Sequence, residues 1–257
     1  MADRTPSLTT AEQFLAYALR GTSLPGVPGT CLLVHSRALI HATRERFPHH
    51  TVDIGARARH PVHLVHPEGG EPFGMVFGGL GAPAAVVGLE VLIAVGFERF
   101  WNIGTTGHPT GRQPPELQIG DLLLVDEALI YEGTSAHYGV PAGSVRADPD
   151  LCSALGEVLG QRGVAFRTGA VATTDALFRE TPEFVAEIRR RGVLGIDMEA
   201  SALLTVARAH GLPLGVALVV SDHVGPHTGW RMGLADLRVD AAERVLLDAL
   251  IDCVGAR

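Results

Sequence analysis

The segment GVLGIDMEASALLTVARAHGLPLGVALVVSDHV, from Gly192 to Val224, has the pattern of an α/β unit. A helical pattern from Glu199 to His210 ends near Gly211 and is followed by an apolar run from Leu214 to Ser221. A short run that is apolar throughout is typical of a strand covered by helices on both faces. The segment therefore predicts a helix that packs on a buried, largely parallel sheet.

Short apolar runs and helical patterns also alternate along the rest of the chain. They predict strands over Thr30–His35, Val62–Val65, Gly74–Gly79, Arg99–Gly104, Asp121–Ala128 and Val164–Val171. The helical patterns cover Thr10–Arg20, Ser36–Phe47, Pro83–Val95, Pro149–Gln161, Thr181–Arg191 and Arg238–Val254. This alternation predicts one α/β domain over residues 30–257, a three-layer α/β/α sandwich with a central mixed, largely parallel twisted sheet. Residues 1–29 are predicted to form an N-terminal extension with a helix.

Composition narrows the class of protein and of partner. With 257 residues, 46% apolar and 19% charged, the chain can build one sizeable core. It has no apolar stretch of about 18 residues, and its N-terminus lacks the blocks of a signal peptide, so we expect a cytoplasmic protein without a membrane contact. A formal charge of −7 argues against a nucleic-acid partner. A small molecule is the expected ligand.

Several cofactor chemistries are excluded by residue type. All 21 basic residues are arginine, so no lysine exists to form a Schiff base or to complete a phosphate-binding P-loop. The three cysteines are widely separated, and His60, His63 and His66 lie in a predicted strand and loop whose side chains need not converge. We expect no metal and no organic cofactor.

Acidic residues stand at the ends of two predicted strands. Asp197, Met198 and Glu199 lie at a strand-to-helix junction, and Ser221 and Asp222 end the apolar run described above. Each carboxylate alone is explained by helix capping or by the helix dipole. Open α/β sheets bind ligands at the carboxyl ends of their strands, so two acids at one edge favour a binding site.

Two glycine-containing turns are further candidates. GGLGAPAAVVG, residues 78–88, follows a strand and opens a helix, so amides such as that of Gly81 are candidates to hold an anion or a ribose oxygen. The dinucleotide fingerprint is incomplete, because Asn102 and Ile103 stand where an acidic residue should follow. FWNIGTTGH, residues 100–108, places Thr105 and Thr106 at a strand end, although the same residues also form ordinary turns.

These motifs together resemble the nucleoside phosphorylase and nucleosidase superfamily. LGIDMEASALL, residues 194–204, is similar to the ribose-binding signature of purine and uridine nucleoside phosphorylases and of methylthioadenosine nucleosidases. VVSDHV, residues 219–224, resembles the catalytic Ser-Asp-His stretch of the purine branch. GGLGAPAA, GTTG, IGDLLLVDEALIYEGTSAHY and GAVATTDALF occur in the family's order and spacing. The resemblance covers the chain from about residue 30 onward.

The resemblance implies a role for each matched residue. Glu199 would bind the ribose 2′ and 3′ hydroxyls, Met198 would face the sugar, and Asp222, oriented by Ser221, would protonate N7 of a departing purine. Such general-acid catalysis contributes about 10²–10⁴-fold in rate. The remaining substrate-binding candidates are Asp197, Thr105, Thr106, Gly81, Thr174 and, as a wall for the base, Phe178.

The residues that would hold the nucleophile depart from the family's pattern. Phosphorylases have a Gly-Asp-Pro loop with an arginine after the first strand, where this chain reads VHSRAL, and a second arginine where it has Asn102. Asparagine cannot replace the bidentate, charged arginine as a phosphate ligand. His35 with Arg37, and Arg59, which matches an arginine that phosphorylases donate from a neighbouring subunit, are alternative anion ligands. The glutamate that activates water in nucleosidases is also missing.

The resulting expectation is an enzyme that cleaves the N-glycosidic bond of a nucleoside, with hydrolysis favoured over phosphorolysis. A purine is favoured because FRETPEF replaces the Gln and Arg pair of the uridine branch. The alternatives are a purine or uridine phosphorylase, which uses phosphate as co-substrate, and a catalytically silent nucleoside-binding protein. The family completes its sites with residues from neighbours, so a homo-oligomer, a dimer or a trimer of dimers, is expected.

Overall fold

The structure is a computed structural model that describes residues 7–20, 24, 26–55, 60–111, 114–227 and 229–255. Its strands are β1 Thr30–Val34, β2 His49–Asp53, β3 Pro61–Val65, β4 Phe73–Phe77, β5 Arg99–Pro109, β6 Leu122–Tyr131, β7 Ser144–Arg146, β8 Phe166–Thr174, β9 Val193–Asp197, β10 Leu214–Gly225 and β11 Gly229–Met232. Its helices are α1 Ala11–Leu19, α2 Arg37–Arg46, α3 Ala82–Val95, α4 Thr134–His137, α5 Pro149–Gln161, α6 Pro182–Arg190, α7 Ala200–His210 and α8 Leu237–Gly255, with a 3-10 turn at Leu177–Arg179.

Local sequence explains where several helices begin. Thr10 and Gln13 form a capping box at α1, and the Ser36 hydroxyl accepts the Leu39 amide at the start of α2. Proline lies in the first turn of α3, α5 and α6. Backbone N–H groups in a first turn have no acceptor within the helix, so the N–H that proline lacks costs no helical hydrogen bond. Glycine at left-handed φ ends α3 and α7. These signals account for the agreement between predicted and observed helix boundaries.

The sheet is mixed and lies between two layers of helices. Strands follow one another in the order β11-β10-β6-β8-β9-β5-β1-β4-β3-β2, and β7 pairs with β6. In β1, Cys31 and Leu33 pack toward α3 and α7, whereas Leu32 and Val34 pack toward α2, α5 and α8. This alternation of a fully buried strand places one apolar cluster on each face. The predicted α/β fold class is confirmed.

Part of the sheet closes on itself, which the sequence did not predict. Strand β10 pairs in parallel with β5 and antiparallel with β6, β6 pairs with β8, β8 with β9, and β9 with β5 at Gly107 and Ile196. These five strands form a ring from which β1, β4, β3 and β2 extend. Closure brings the carboxyl ends of β5, β9 and β10 together, although α7 lies between β9 and β10 in sequence.

The strands that sequence reasoning omitted are short or lie at edges. Both edge strands, β2 and β11, are partly or fully exposed along their lengths, so they carry no apolar run. Strand β7 has three residues, and β9 was recognised only through the acidic junction that follows it. A strand that is not covered on a face loses the apolar pattern by which strands are recognised.

Helix α1 joins the main core although it lies in the predicted extension. Its Leu15 is buried in the same apolar cluster as residues of α3, and Leu19, Leu24 and Val27 pack against that cluster. The boundary at residue 30 stays a prediction. Within the described ranges, no helix combines the length and the apolar character needed to cross a membrane.

Candidate active site

A cavity of about 310 Å³ opens at the carboxyl ends of β5, β9 and β10. Its lining includes most of the acidic, hydroxyl and glycine positions that the sequence predicts for the site. The residues that line it are His35, Phe77, Gly79, Leu80, Asn102, Gly104, Thr105, Thr106, Gly107, Leu177, Glu180, Ile196, Asp197, Met198, Glu199, Leu218, Ser221, Asp222, Trp230 and Leu234. Residues from both halves of the chain thus meet in one concave site.

Asp197 caps helix α7 from inside the cavity wall. Its Oδ2 accepts the backbone N–H of Glu199 at 3.0 Å and of Ala200 at 2.6 Å, and its Oδ1 accepts the Thr173 hydroxyl at 2.7 Å. The Thr173 oxygen in turn accepts the Ser201 amide at 2.9 Å. Asp197 therefore fixes the start of α7, and its carboxylate is already occupied by protein donors.

Because Asp197 caps the helix, the Glu199 side chain is free to reach across the cavity. Glu199 is 8% exposed, and its Oε1 accepts the backbone N–H of Gly81 at 2.6 Å. Gly81 begins α3 with a φ of +83°, a conformation that favours glycine. The Gly81 amide thus holds Glu199 in this structure, and the binding of substrate by Gly81 stays a prediction. The second Glu199 oxygen has no protein donor among the described residues.

A β-bulge orients the pair Ser221 and Asp222. The pairing of β10 with β5 shifts between Val220 and Asp222, so Ser221 is the extra residue. The Ser221 hydroxyl donates to Asp222 Oδ1 at 2.7 Å, and the Trp230 indole N–H donates to Asp222 Oδ2 at 2.8 Å. A methyl group at Gly107 would lie 2.9 Å from Oδ2. The neighbouring strand therefore leaves room for this carboxyl only because position 107 is glycine.

Glu180 also lines the cavity, and sequence reasoning missed it. It follows the 3-10 turn after β8 and is half-buried. Burial, and to a lesser degree the neighbouring Asp222 carboxyl, raise the pKa of Glu180 to about 7. With Asp197, Glu199 and Asp222 it gives the cavity four carboxyl groups.

His35 and Asn102 form the opposite wall, where the sequence predicts a nucleophile site. His35 Nδ1 lies 2.8 Å from the Gly79 carbonyl oxygen, and Nε2 lies 2.7 Å from Asn102 Oδ1. A methyl group at Gly78 would lie 2.6 Å from the ring and one at Gly104 would lie 3.3 Å from it. Two glycines therefore make space for this imidazole, which bridges β1, β5 and the loop after β4.

Three predicted site residues lie away from the cavity, and two of them are Arg37 and Phe178. The Arg37 guanidinium lies 4.0 Å from the centroid of the Phe77 ring, which separates it from the cavity, and it lines a neighbouring groove with Arg44 and Asp53. Phe178 is 82% exposed and packs edge-on against Trp230, while the preceding Leu177 lines the cavity instead. In this structure neither the Arg37 guanidinium nor the Phe178 ring lines the cavity, and their roles at an anion and at the base stay predictions.

Thr174 is the third of these residues. Its hydroxyl oxygen accepts the Ala176 amide at 3.2 Å, which shapes the turn after β8, and the residue does not line the cavity. Its role as a substrate ligand stays a prediction. Arg59 lies outside the described residues. Thr105 and Thr106 both line the cavity, and the Thr106 hydroxyl donates to the Ile196 carbonyl at 2.9 Å.

The sequence matches a known family over most of its length. The model of the phosphorylase superfamily matches residues 36–251. The chain belongs to the phosphorylase superfamily. This match includes both acidic strand ends of the cavity, and it confirms the family that the motifs of β9, α7 and β10 indicate.

Named members of the phosphorylase superfamily differ in reaction and in base. A uridine phosphorylase of Thermococcus kodakarensis is 30% identical over 190 residues, which are 68% of this chain and 67% of that protein. The structure of the purine nucleoside phosphorylase of Toxoplasma gondii in complex with immucillin-H superposes with a TM-score of 0.77 at 17% identity, covering 89% of this chain and 91% of the other. The structure of the AMP nucleosidase of Bacteroides thetaiotaomicron superposes with a TM-score of 0.72 at 21% identity, covering 95% of this chain and 98% of the other. These relatives and structural neighbours are all enzymes that cleave N-glycosidic bonds.

The residues that sequence reasoning missed belong to the segments after β8 and β10. Leu177 and Glu180 lie in LFRE, beside the Phe178 that was selected, and Trp230 lies in the edge strand β11. A bulky or acidic residue in a loop carries no periodic signal, and its neighbours in the folded chain are distant in sequence. Only the pairing of β10 with β11 shows that the Trp230 indole reaches Asp222.

Stability should depend on pH through Asp197. Burial, followed by the charge of Glu199, raises the pKa of Asp197 from 3.8 to about 6. A carboxyl with a raised pKa in the folded state contributes stability below its unfolded pKa, and this contribution is lost as pH rises through the folded value. Between pH 4 and pH 7 the free energy of unfolding should therefore fall relative to that of Asp197→Asn, by about 3 kcal/mol at most.

Urea denaturation at pH 4, 5, 6 and 7 measures this difference. In the asparagine variant, Oδ1 can still accept the two α7 amides, so the helix cap persists. If the free energy of unfolding changed with pH in the same way in the two proteins, the raised pKa of Asp197 in the folded state would be contradicted.

Proposed function

We propose that this protein hydrolyses the N-glycosidic bond of a purine nucleoside, releasing the base and the free sugar. The observation that carries the proposal is the charge of the cavity. Four carboxyl groups and one imidazole line it, and no arginine does so in the part of the chain that the structure describes. A phosphate anion needs charge-assisted donors, and like charges within a half-buried cavity oppose its entry. Water, being neutral, enters such a cavity without this cost.

The named side chains supply the steps that hydrolysis needs. Glu199 lines the cavity with Met198, and one of its oxygens is free to accept hydrogen bonds from vicinal sugar hydroxyls. As the bond from C1′ to the base breaks, the electron pair stays on the base and Asp222 supplies the proton. The cationic sugar that remains is stabilised by nearby carboxylates and is attacked by water, whose proton passes back to the Asp222 carboxylate. Thr105 and the wall formed by His35 and Asn102 border the space for this water.

Phosphorolysis is the second candidate, and the uridine phosphorylase of T. kodakarensis favours it. In that reaction phosphate would be a co-substrate and would need basic ligands beyond His35. Arg59, donated by a neighbouring subunit, is the residue from which such a ligand is expected. The carboxyl groups of the cavity weigh against this candidate.

Product analysis distinguishes the two reactions. We expect the purified protein to release free base and free sugar from a purine nucleoside at equal rates with and without phosphate. Sugar 1-phosphate that forms only with phosphate would establish phosphorolysis instead. Uridine and cytidine in the same panel test the choice of purine. An Arg59→Gln variant is the matched test of the phosphate site, since it should slow phosphorolysis and leave hydrolysis unchanged.

The proposed chemistry requires no metal and no organic cofactor, because proton transfer and electrostatic stabilisation suffice. We further propose a cytoplasmic homo-oligomer, a dimer or a trimer of dimers, that binds neither nucleic acid nor membrane. The oligomer follows from the expected donation of Arg59 to a neighbour's site. Light scattering of the purified protein measures its mass directly.

A further inference from the structure

Two carboxyl groups that line the cavity, one from β10 and one from the segment after β8, are near enough for the charge of one to act on the other. Asp222 and Glu180 line the cavity with Leu177, Trp230 and Leu234. Asp222 is buried and Glu180 is half-buried, and a carboxylate is costly where its access to water is reduced. Two ionised carboxylates in this environment also repel each other. Such a pair holds one proton more readily than two separate groups do.

The two carboxyl groups differ in their hydrogen-bond partners. Both Asp222 oxygens already accept hydrogen bonds, from the Ser221 hydroxyl at 2.7 Å and from the Trp230 indole at 2.8 Å. Hydrogen bonds donated to a carboxylate stabilise its ionised form. Glu180, in contrast, has no hydrogen-bond donor among the described residues. No hydrogen-bond donor of the described chain therefore stabilises an ionised Glu180.

Other charged groups do not stabilise an ionised Glu180 either. The cavity also contains Asp197 and Glu199, whose negative charges disfavour ionisation of Glu180 further, and His35 on the opposite wall. Arg179 and Glu183, close in sequence, and Arg231 on β11 are exposed and do not line the cavity. No guanidinium of the described chain thus enters the cavity to stabilise an ionised Glu180.

We propose that Glu180 is a positioning residue that stores, for Asp222, the proton delivered to the departing base. The proton rests on Glu180 and passes to Asp222 when the base binds, and from Asp222 to the base nitrogen as the glycosidic bond breaks. The pair is then doubly negative. The proton released by the attacking water restores it, so that one water molecule is consumed and no other reactant is needed. This role rests on the proposed cleavage of a nucleoside.

The pKa of Glu180, which burial and Asp222 raise to about 7, sets the pH range in which this proton is available. Below pH 7 the pair holds the proton, and above pH 7 it loses it. In Glu180→Gln this stored proton is missing. A fall in activity centred near pH 7 should therefore be absent from the variant.

The test compares pH profiles of kcat/KM for wild type, Glu180→Gln and Glu183→Gln between pH 5 and pH 9. We expect the wild-type value to fall about tenfold per pH unit above about pH 7. In Glu180→Gln this limb should be absent near pH 7, with a loss of about tenfold or more at pH 7. Glu183→Gln, an exposed carboxyl three residues away, should keep the wild-type profile. An unchanged limb in Glu180→Gln overturns the proposal.

Tryptophan fluorescence tests the pair without any substrate. Trp230 contacts Asp222, so its emission should change near pH 7 in the wild type, whereas Trp101 is buried elsewhere. The change should be absent near pH 7 in Glu180→Gln and should disappear in Trp230→Phe. If this titration occurs but no nucleoside is cleaved, the proposed function fails and the carboxyl pair stands. If the wild type shows no titration near pH 7, the pair itself is wrong.

Discussion

Asp222→Asn should reduce kcat by about 10²–10⁴-fold while KM changes only a few-fold. The departing base needs a proton, and the amide of asparagine cannot supply one. The fold should tolerate this change. The introduced amide can accept the Trp230 N–H with its oxygen and donate to Ser221, whose hydroxyl both donates and accepts hydrogen bonds. The measurement is steady-state release of base from a purine nucleoside, with binding followed separately by calorimetry.

Asp150→Asn provides the matched control for this experiment. Asp150 is an exposed carboxylate in the first turn of α5 and does not line the cavity. Its substitution should leave both kcat and KM unchanged. A protein that merely binds nucleosides would show no turnover in the wild type and little loss of affinity in Asp222→Asn. That result would contradict the proposal of an enzyme and would favour a catalytically silent nucleoside-binding protein.

Glu199→Gln should lower kcat/KM for ribonucleosides by roughly 10–100-fold, because a hydrogen bond to a charged group contributes about 1.5–3 kcal/mol. The loss should depend on the sugar hydroxyls. A 2′,3′-dideoxynucleoside offers no vicinal hydroxyls, so for this substrate the variant and the wild type should differ by less than about threefold. Glutamine can still accept the Gly81 amide through its oxygen, which preserves the contact between α7 and α3.

The comparison of two substrates separates a sugar contact from a structural defect. If Glu199 only stabilised the start of α3, both nucleosides would lose activity to the same extent. Glu157→Gln, on the exposed face of α5, is the control for the change of glutamate to glutamine. Equal losses for the two substrates in Glu199→Gln would contradict the assignment of Glu199 as the ligand of the sugar.

Several of the site residues could be named from sequence because they belong to local patterns. Asp197, Met198 and Glu199 follow a buried run and precede a helix, and such a junction lies at the carboxyl edge of a sheet. What the sequence left open was the task of each acid. The structure gives the two acids different partners. Asp197 caps α7, whereas Glu199 accepts the Gly81 amide and lines the cavity.

The positions of the Arg37 and Phe178 side chains outside the cavity have a common physical cause. Both residues have the chemistry expected of a ligand and lie within one or two positions of residues that do line the cavity, His35 and Leu177. Successive side chains point in different directions along a turn or helix start, so adjacency in sequence does not give a shared direction. The ring of Phe77 then separates the Arg37 guanidinium from the cavity.

The amino-acid sequence by itself determined the α/β class, the helix boundaries and the two acidic strand ends, because periodicity and capping act between residues close along the chain. Tertiary structure alone decided that β5 and β10 close a ring of strands and that the Trp230 indole donates to Asp222. It also decided that Glu180 lines the same cavity as Asp222. These contacts join residues from separate elements, and their geometry depends on how the strands pair and twist. Local pattern does not encode that geometry, whereas the packing of the whole chain fixes it.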